Sequence, residues 1–284
     1  MRKPKAMGLK TKGIETMRYL AIRRDDRFSP NAVENDRAIL RRASERLREL
    51  LGLADDIAMV DERQWVERPM EADVYLSMAR EETTLDLLRD KESGGSLVVN
   101  GAQGVLRCRR TVLDQLMRLH HVPMPPLVGS HGYWLKRGDA AAQSKADVVF
   151  CEDLTALNAA KEAFRKRGVT DMVVSAHVPG DLVKFYGVGT AFFQFFYPSD
   201  DGISKFGDEK RNGVAHHYAF EAERLHQEVV RLSQLVDVEV FGGDAIIDEH
   251  GRFYIIDFND WPSFSRCREE AAMAIAQCVA KARR

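Results

Sequence analysis

The chain has 284 residues, of which 45% are hydrophobic and 30% charged, and its 42 basic and 43 acidic side chains leave a formal charge of −1. This length allows one large domain or a few small ones, and the composition is that of a globular protein. Near-neutral charge argues against a chain whose main work is neutralising nucleic-acid phosphates or binding an anionic membrane.

Residues 1–16 are polar and basic and read as an extension. Tyr19–Ile22 predicts a buried strand, and the loop from Arg23 to Asn31 contains a Ser-Pro-Asn turn signal. From Asp36 to Leu51, the apolar residues Ile39, Leu40, Ala43, Leu47 and Leu51 recur at helical spacing. Strands are expected at 57–60, 73–78 and 96–99, with a short helix over 84–91. That alternation argues for a small parallel α/β unit over 17–99. A helix over 103–121 ends at Val122-Pro-Met-Pro-Pro126, because proline cannot continue it. Further strands are expected at 133–136, 147–150, 172–175, 182–188 and 191–197, with a helix over 154–167. Residues 198–215 show little periodicity and read as a long loop of the kind that forms lids. A helix over 220–236, strands at 238–241, 244–247 and 253–256, and a helix over 268–282 complete the chain.

The cysteines Cys108, Cys151, Cys267 and Cys278 lie far apart with no CxxC pair, which fits neither a zinc site nor a disulfide framework and suits a reducing compartment. No apolar run approaches the roughly 20 residues of a membrane span, and no signal-peptide core follows the basic start. The expectation is a cytoplasmic protein without nucleic-acid or membrane partners. No GxGxxG follows the first strand, which argues against a dinucleotide-binding dehydrogenase.

The most informative stretch runs from Gly243-Asp244 through a turn to Asp257-Phe-Asn259. Strand alternation puts residues 257 and 259 on one face, and Asp244 lies on the neighbouring strand. Two carboxylates and an amide are hard oxygen donors suited to Mg²⁺, with Mn²⁺ as the alternative. The competing reading, a surface hairpin with Asp and Asn in turns, sits poorly with so apolar a segment.

These residues, with Val98-Val-Asn100, Arg107-Cys-Arg109, Trp134-Leu-Lys136-Arg-Gly138, Lys184-Phe-Tyr-Gly-Val-Gly189 and Arg211-Asn212-Gly213, give residues 97–270 a pattern that resembles the ATP-grasp enzymes. The resemblance is to the branch holding ribosomal-protein glutamate ligases, glutathione synthetase and the inositol-trisphosphate kinases. It implies an α/β and α+β fold: an N-terminal parallel α/β substrate domain, then an ATP-grasp domain over 100–284 with a small lobe at about 124–180. It further implies that Lys136, with Arg137 and Gly138 beside it, holds the nucleotide phosphates. Ser175, Ala176, His177 and Val178 would read the adenine edge, and Asp181 the ribose. Lys184, Arg211 and Asn212 would stand near the γ-phosphate, with Lys205 as a weaker candidate. Asp244, Asp257 and Asn259 would bind the metal. Substrate recognition would fall to Arg27, Ser29 and Asn31, to Arg80, and to Ser263, Ser265 and Arg266. His216 and His217 are either substrate contacts or merely exposed.

The chain departs from the family pattern in two places. Arg110-Thr111 stands where many relatives have a first-helix lysine, so that Arg109 or Arg110 would replace it, and Ala176 stands where many have an acid. The implied activity is ATP- and Mg²⁺-dependent ligation of a small carboxylate to an amine. A kinase acting on a hydroxyl of a small polyol or inositol phosphate, or a non-catalytic ATP-binding module, are the alternatives. The oligomeric state is not legible.

Overall fold

The computed structural model describes residues 17–29, 32–139, 145–201 and 212–282. The lid reading for 202–211, including Lys205 and Arg211, and the placement of Asn31 fall outside these residues.

Three sheets organise the chain. The first is parallel, in the order β2-β1-β3-β4, from β1 (Tyr19–Arg23), β2 (Ala58–Asp61), β3 (Val74–Ser77) and β4 (Leu97–Val99). Its central strands are apolar on both faces, as a sheet covered on both sides requires. Leu20, Ile22 and Tyr75 point to one side, where α2 (Glu62–Glu67), α3 (Glu82–Ser93) and α4 (Ala102–Arg107) pack. Ala21, Val74 and Leu76 point to the other, covered by α1 (Val33–Leu51) and the C-terminal α8 (Arg268–Ala282). Fully buried side chains such as Ile39, Leu40 and Ile275 each stabilise by about 1.5–3 kcal/mol. At the end of α1, Gly52 adopts φ 64° and returns its N–H to Arg48 and Glu49, a left-handed stop that favours glycine. Arg42 and Arg46 of α1 both reach Glu269 of α8, at 2.7 and 2.9 Å.

The second sheet, β6-β5-β7, is antiparallel and comprises β5 (Tyr133–Arg137), β6 (Val148–Cys151) and β7 (Met172–Ala176). It packs on α6 (Leu154–Lys166) through Leu135, Leu157 and Phe164. The third, β11-β10-β8-β9, holds β8 (Asp181–Val188), β9 (Phe192–Phe196), β10 (Val240–Ile247) and β11 (Phe253–Asp260). It rests on α5 (Arg110–Leu119) and α7 (Ala222–Val236). The β10–β11 turn closes at Gly251 (φ 75°), with the Asp248 carboxylate accepting the His250 and Arg252 amides. Asn100 ties the first sheet to the third: its amide donates to Val240 O and accepts from Glu239 N and Val240 N.

The elements depart from the sequence expectation in four places. The single helix expected over 103–121 is two, broken at Cys108–Arg109, with no proline or glycine at the break. Gly104 seats α4 so tightly that a Cβ there would lie 1.9 Å from Asp237 O, while α5 docks separately on the third sheet. The strands expected at 238–241 and 244–247 form one strand through Gly242-Gly243, and β11 runs on to Asp260. The short helix α2 was not expected. The strand expected from Leu182 begins one residue earlier, at Asp181.

Candidate active site

A cleft of about 990 Å³ opens where the three sheets meet. At its centre is the β10–β11 ladder. Asp244 and Asp257 are register partners, and a β-bulge follows immediately, so that Ala245 pairs with Ile255 and Ile256 is left over. Bulges re-aim side chains and interrupt pairing. Here the Ile256 carbonyl accepts from Lys136 Nζ at 3.0 Å. Asn259 Nδ2 donates to Asp257 Oδ2 at 3.1 Å, so residues 257 and 259 do share a face. On the other side of β10, Lys184 is the register partner of Asp244 and its ammonium lies 2.7 Å from Asp244 Oδ1. Among the described residues no group of three or more His, Cys, Asp or Glu converges. What the ladder presents is two carboxylates and one amide, oxygen donors of the kind a hard divalent cation prefers.

Three cations surround this set. Burial alone would push the Asp257 carboxyl up, yet Arg110 and Lys136, with the Asn259 amide and Lys184, hold it below the usual carboxylate range. Burial pulls Lys136 down from the ordinary lysine value, with Arg110 repelling it and Asp257 and Asp244 opposing that shift. Arg110 is thus an electrostatic partner of both. Its Nη1 donates to Arg137 O at 2.6 Å, whereas Arg109 is exposed and reaches Glu82 at 4.0 Å. Both arginines line the cleft, and Arg110 is the one coupled to the acidic pair.

On one side of the acidic pair the wall is apolar, formed by Val148, Val178, Leu182, Ile246 and Ile256. Trp134, Phe150 and His177 make an edge-to-face cluster beside it, with Trp134 Nε1 donating to His177 Nδ1 at 3.1 Å. Ser175, Ala176, His177 and Val178 all border the cleft. The Ala176 and His177 amides already donate to Pro126 O and Gly132 O, each at 2.8 Å, so an adenine edge would meet other backbone groups of this segment. Asn212 also borders the cleft and donates to Gly180 O at 2.9 Å.

Three expected nucleotide contacts lie elsewhere. Asp181 is buried away from the cleft lining, and its two oxygens accept the His216 and Tyr218 amides at 2.7 and 2.9 Å, which fixes a loop. Arg137 alternates with Lys136 along β5, is not part of the cleft lining and pairs with Asp139 at the cleft's border at 2.6 Å. Gly138 is packed rather than open: a Cβ would lie 2.0 Å from Thr111 Oγ1. Nor do the two histidines face the cleft; His217 pairs with Asp200 at 3.2 Å and His216 stacks on Tyr218.

On the opposite side, Arg27, Ser29, Arg80, Ser263, Ser265 and Arg266 all line the cleft. Ser29 is buried and donates to Asp36, and Arg27 pairs with Glu81. Arg80 reaches Asp260 Oδ1 at 2.7 Å, and the buried Arg24 donates to Trp261 O at 2.7 Å. Arg266 lies over the Phe196 ring. Cys108 lines the same wall, where burial and Asp260 push its thiol well up and keep it neutral.

No family model and no curated protein sequence matches the chain. Solved structures do. A D-alanine–D-alanine ligase from Bacillus anthracis complexed with ATP superposes with a TM-score of 0.63 at 10% identity, over 94% of this chain and 97% of that one. A RimK domain ATP-grasp protein from Sphaerobacter thermophilus gives 0.62 at 17%, over 92% and 99%. The ATP-grasp ligase PsnB, complexed with a minimal precursor, gives 0.58 at 11%, over 92% and 99%. The chain has the ATP-grasp fold.

Within the ATP-grasp fold the cleft combines an apolar slot, a cation-flanked acidic pair and an arginine-rich wall. Sequence reasoning missed Arg24, Glu62 and Asp260, and left Arg110 undecided against Arg109. The doublet Asp260-Trp261 directly follows the metal-fitting pair, a signal that points to further cleft residues. Nothing in the sequence spacing marks Arg24 or Glu62.

Proposed function

We propose that the protein is an Mg²⁺- and ATP-dependent enzyme that activates a small carboxylate by phosphoryl transfer and joins it to an amine. The observation that carries this reading is the convergence of Lys136, Arg110 and Lys184 on Asp244, Asp257 and Asn259 between an apolar slot and an arginine-bearing wall. Asp244, Asp257 and Asn259 would hold Mg²⁺, which supplies charge neutralisation on phosphate oxygens. The slot of Val148, Val178, Leu182, Ile246 and Ile256 fits a flat adenine, with the 175–178 backbone at its edge.

Lys136 and Arg110 would hold the phosphate chain and stabilise charge as it moves to the departing ADP. Fixed cations in a cleft with little water do this effectively, because they need no reorganisation. An acceptor carboxylate oxygen attacks the γ-phosphorus, the bond to the β-phosphate oxygen breaks, and an acyl phosphate forms. An amine then attacks the acyl carbon, loses a proton and expels phosphate. Arg27, Arg80, Arg266, Ser263 and Ser265, with Arg24 beside them, are the side chains placed to orient the acid. Lys184 and Asn212 are the described candidates for the γ-phosphate, and Arg211, the third, lies outside the described residues.

Hydroxylamine trapping tests the reading. With ATP, Mg²⁺ and a panel of amino acids and short dicarboxylic acids, hydroxylamine should intercept the acyl phosphate and yield a hydroxamate with stoichiometric ADP. ADP with a stable phosphoester and no hydroxamate would establish a kinase instead. The Asp257-x-Asn259 spelling, which resembles that of the inositol-trisphosphate kinases, is the feature that keeps this second reading in view.

A further inference from the structure

In the first sheet the strand order reverses direction between β1 and β3, so the loops leaving these two strands part to opposite sides and frame a crevice at their carboxyl ends. The loop after β1 carries Arg24 and Arg27; the loop after β3 carries Arg80 and Glu81. All four line the active-site cleft. Main-chain amides at such a crevice are ordinarily donors to an anionic ligand. Here one side chain takes three of them. Glu62, the first residue of α2, is fully buried. Its Oε1 accepts from Asp25 N, and its Oε2 accepts from Arg80 N at 2.9 Å and Glu81 N at 2.8 Å.

We infer that Glu62 is a positioning residue for the acceptor substrate: its carboxylate stands where an anion would sit and locks the two arginine-bearing loops at one spacing. The acceptor is then read by arginine side chains and not by the backbone. Two further contacts extend the clamp toward the phosphoryl-transfer centre. Arg80 is held by Asp260 at 2.7 Å, and Asp260 follows Asp257 and Asn259 on β11. Arg24 is held by Trp261 O, the next residue along. Glu62 stands in the first turn of a helix, where acids are common for their interaction with the helix dipole. Its three hydrogen-bond partners, however, belong to the two loops and none to α2. Burial pushes its carboxyl up while the three amides oppose that rise, so the group is held by donors at a real desolvation cost. A side chain that only filled space there would be apolar.

The inference rests on the ligase reading for the chemistry of the acceptor, and the test separates the two. The probe acceptor is whichever panel acid or polyol phosphate gives the greatest ATP-dependent ADP release. The product, hydroxamate or phosphoester, judges the reaction class independently of Glu62. In Glu62→Gln one oxygen is replaced by an NH₂ that faces N–H donors. Losing one or two buried hydrogen bonds should raise the acceptor KM about tenfold. The ATP KM and the kcat at saturating acceptor should stay near wild type. Amide hydrogen exchange should quicken at Asp25, Arg80 and Glu81 and stay slow at Leu20, Ile22 and Leu76. Asp25→Pro provides a second variant. It deletes one donor at a position whose φ is already −60°, together with the Asp25 carboxylate's contacts to Arg27 N and Arg63, and should move the acceptor KM in the same direction. Equal rises in both KM values, or faster exchange across the whole sheet, would reduce Glu62 to a structural residue. Should Glu62→Gln not fold, fast exchange of the three amides in the wild-type protein, or an unchanged acceptor KM in Asp25→Pro, overturns the proposal.

Discussion

Gly138 offers the sharpest separation between a phosphate-binding and a packing role. Its N–H donates to Asp171 O at 3.0 Å, its carbonyl accepts from Thr111 N at 3.3 Å, and Thr111 Oγ1 bonds Asp171 Oδ1 at 2.6 Å. A Cβ at position 138 would stand 2.0 Å from Thr111 Oγ1 and 2.6 Å from Asp171 Oδ1. Thr111 is β-branched and lies in the first turn of α5, so its hydroxyl has few other places to go. Gly138→Ala should therefore cost about 1–3 kcal/mol in overpacking and about 1 kcal/mol for the displaced hydrogen bond, some 2–4 kcal/mol together. Thr111→Ala alone should cost about 1 kcal/mol. In the double variant the nearest clash is gone while Asp171 Oδ1 remains. Its loss should thus fall short of the sum of the singles by about 1 kcal/mol or more. Urea unfolding reads this as a shift in midpoint at constant slope. Strict additivity, or a Gly138→Ala protein of wild-type stability with weakened nucleotide binding, would refute the packing account and return the glycine to the phosphate.

Arg110→Met removes the strongest cation lowering Asp257 and a repulsive neighbour of Lys136. Both groups should then ionise at higher pH in the metal-free, nucleotide-free protein, read by NMR titration of the carboxyl and ammonium signals; an Asp257 titration that stays in place would sink the assignment. Asp257→Ala should abolish turnover and leave the circular-dichroism spectrum of the folded protein intact, and wild-type turnover at saturating Mg²⁺ would contradict the metal-fitting set. Glu269 is pulled down to about 2 from its ordinary 4.5 by hydrogen bonds from Arg42 and then Arg46. A depressed carboxyl stabilises above its unfolded value and loses that contribution as pH falls. The thermal midpoint of Glu269→Gln should therefore lie slightly below wild type at neutral pH and converge with it between pH 4.5 and about 2. The gap is small because the pair is exposed, and molar salt should shrink it further.

The strands were legible because their periodicity is unambiguous. Leu20-Ala21-Ile22 and Val74-Tyr75-Leu76 are apolar at consecutive positions, as a doubly covered strand requires. Asp257 and Asn259 were legible for the same reason, since a two-residue period fixes a shared face. Position 138 was misjudged because a glycine beside a cationic strand residue looks identical whether it admits phosphate or Thr111. The break at Cys108–Arg109 carries no local signal, because it arises from two helices docking on different sheets. Arg24 and Glu62 owe their positions to strand order, and a strand order of β2-β1-β3-β4 cannot be read from the spacing of any one segment. Asp181 illustrates the limit from the other direction: a residue type suited to a ribose is equally suited to two backbone amides, and only the fold decides.

The helix α8 has a bearing on how the chain is made. The face of the first sheet that carries Ala21, Val74 and Leu76 is completed by Ala271, Ala272, Ile275, Ala276 and Val279. At ribosomal speeds of about 5–20 residues per second, the 169 residues from Val99 to Arg268 take on the order of 10–30 s to emerge. Throughout that interval Ile39, Leu40, Ala43 and Leu47 of α1 lack their partner helix. The nascent N-terminal part is then a candidate client for holdase chaperones, and a ribosome stalled short of residue 268 would display an apolar surface that the finished protein never shows.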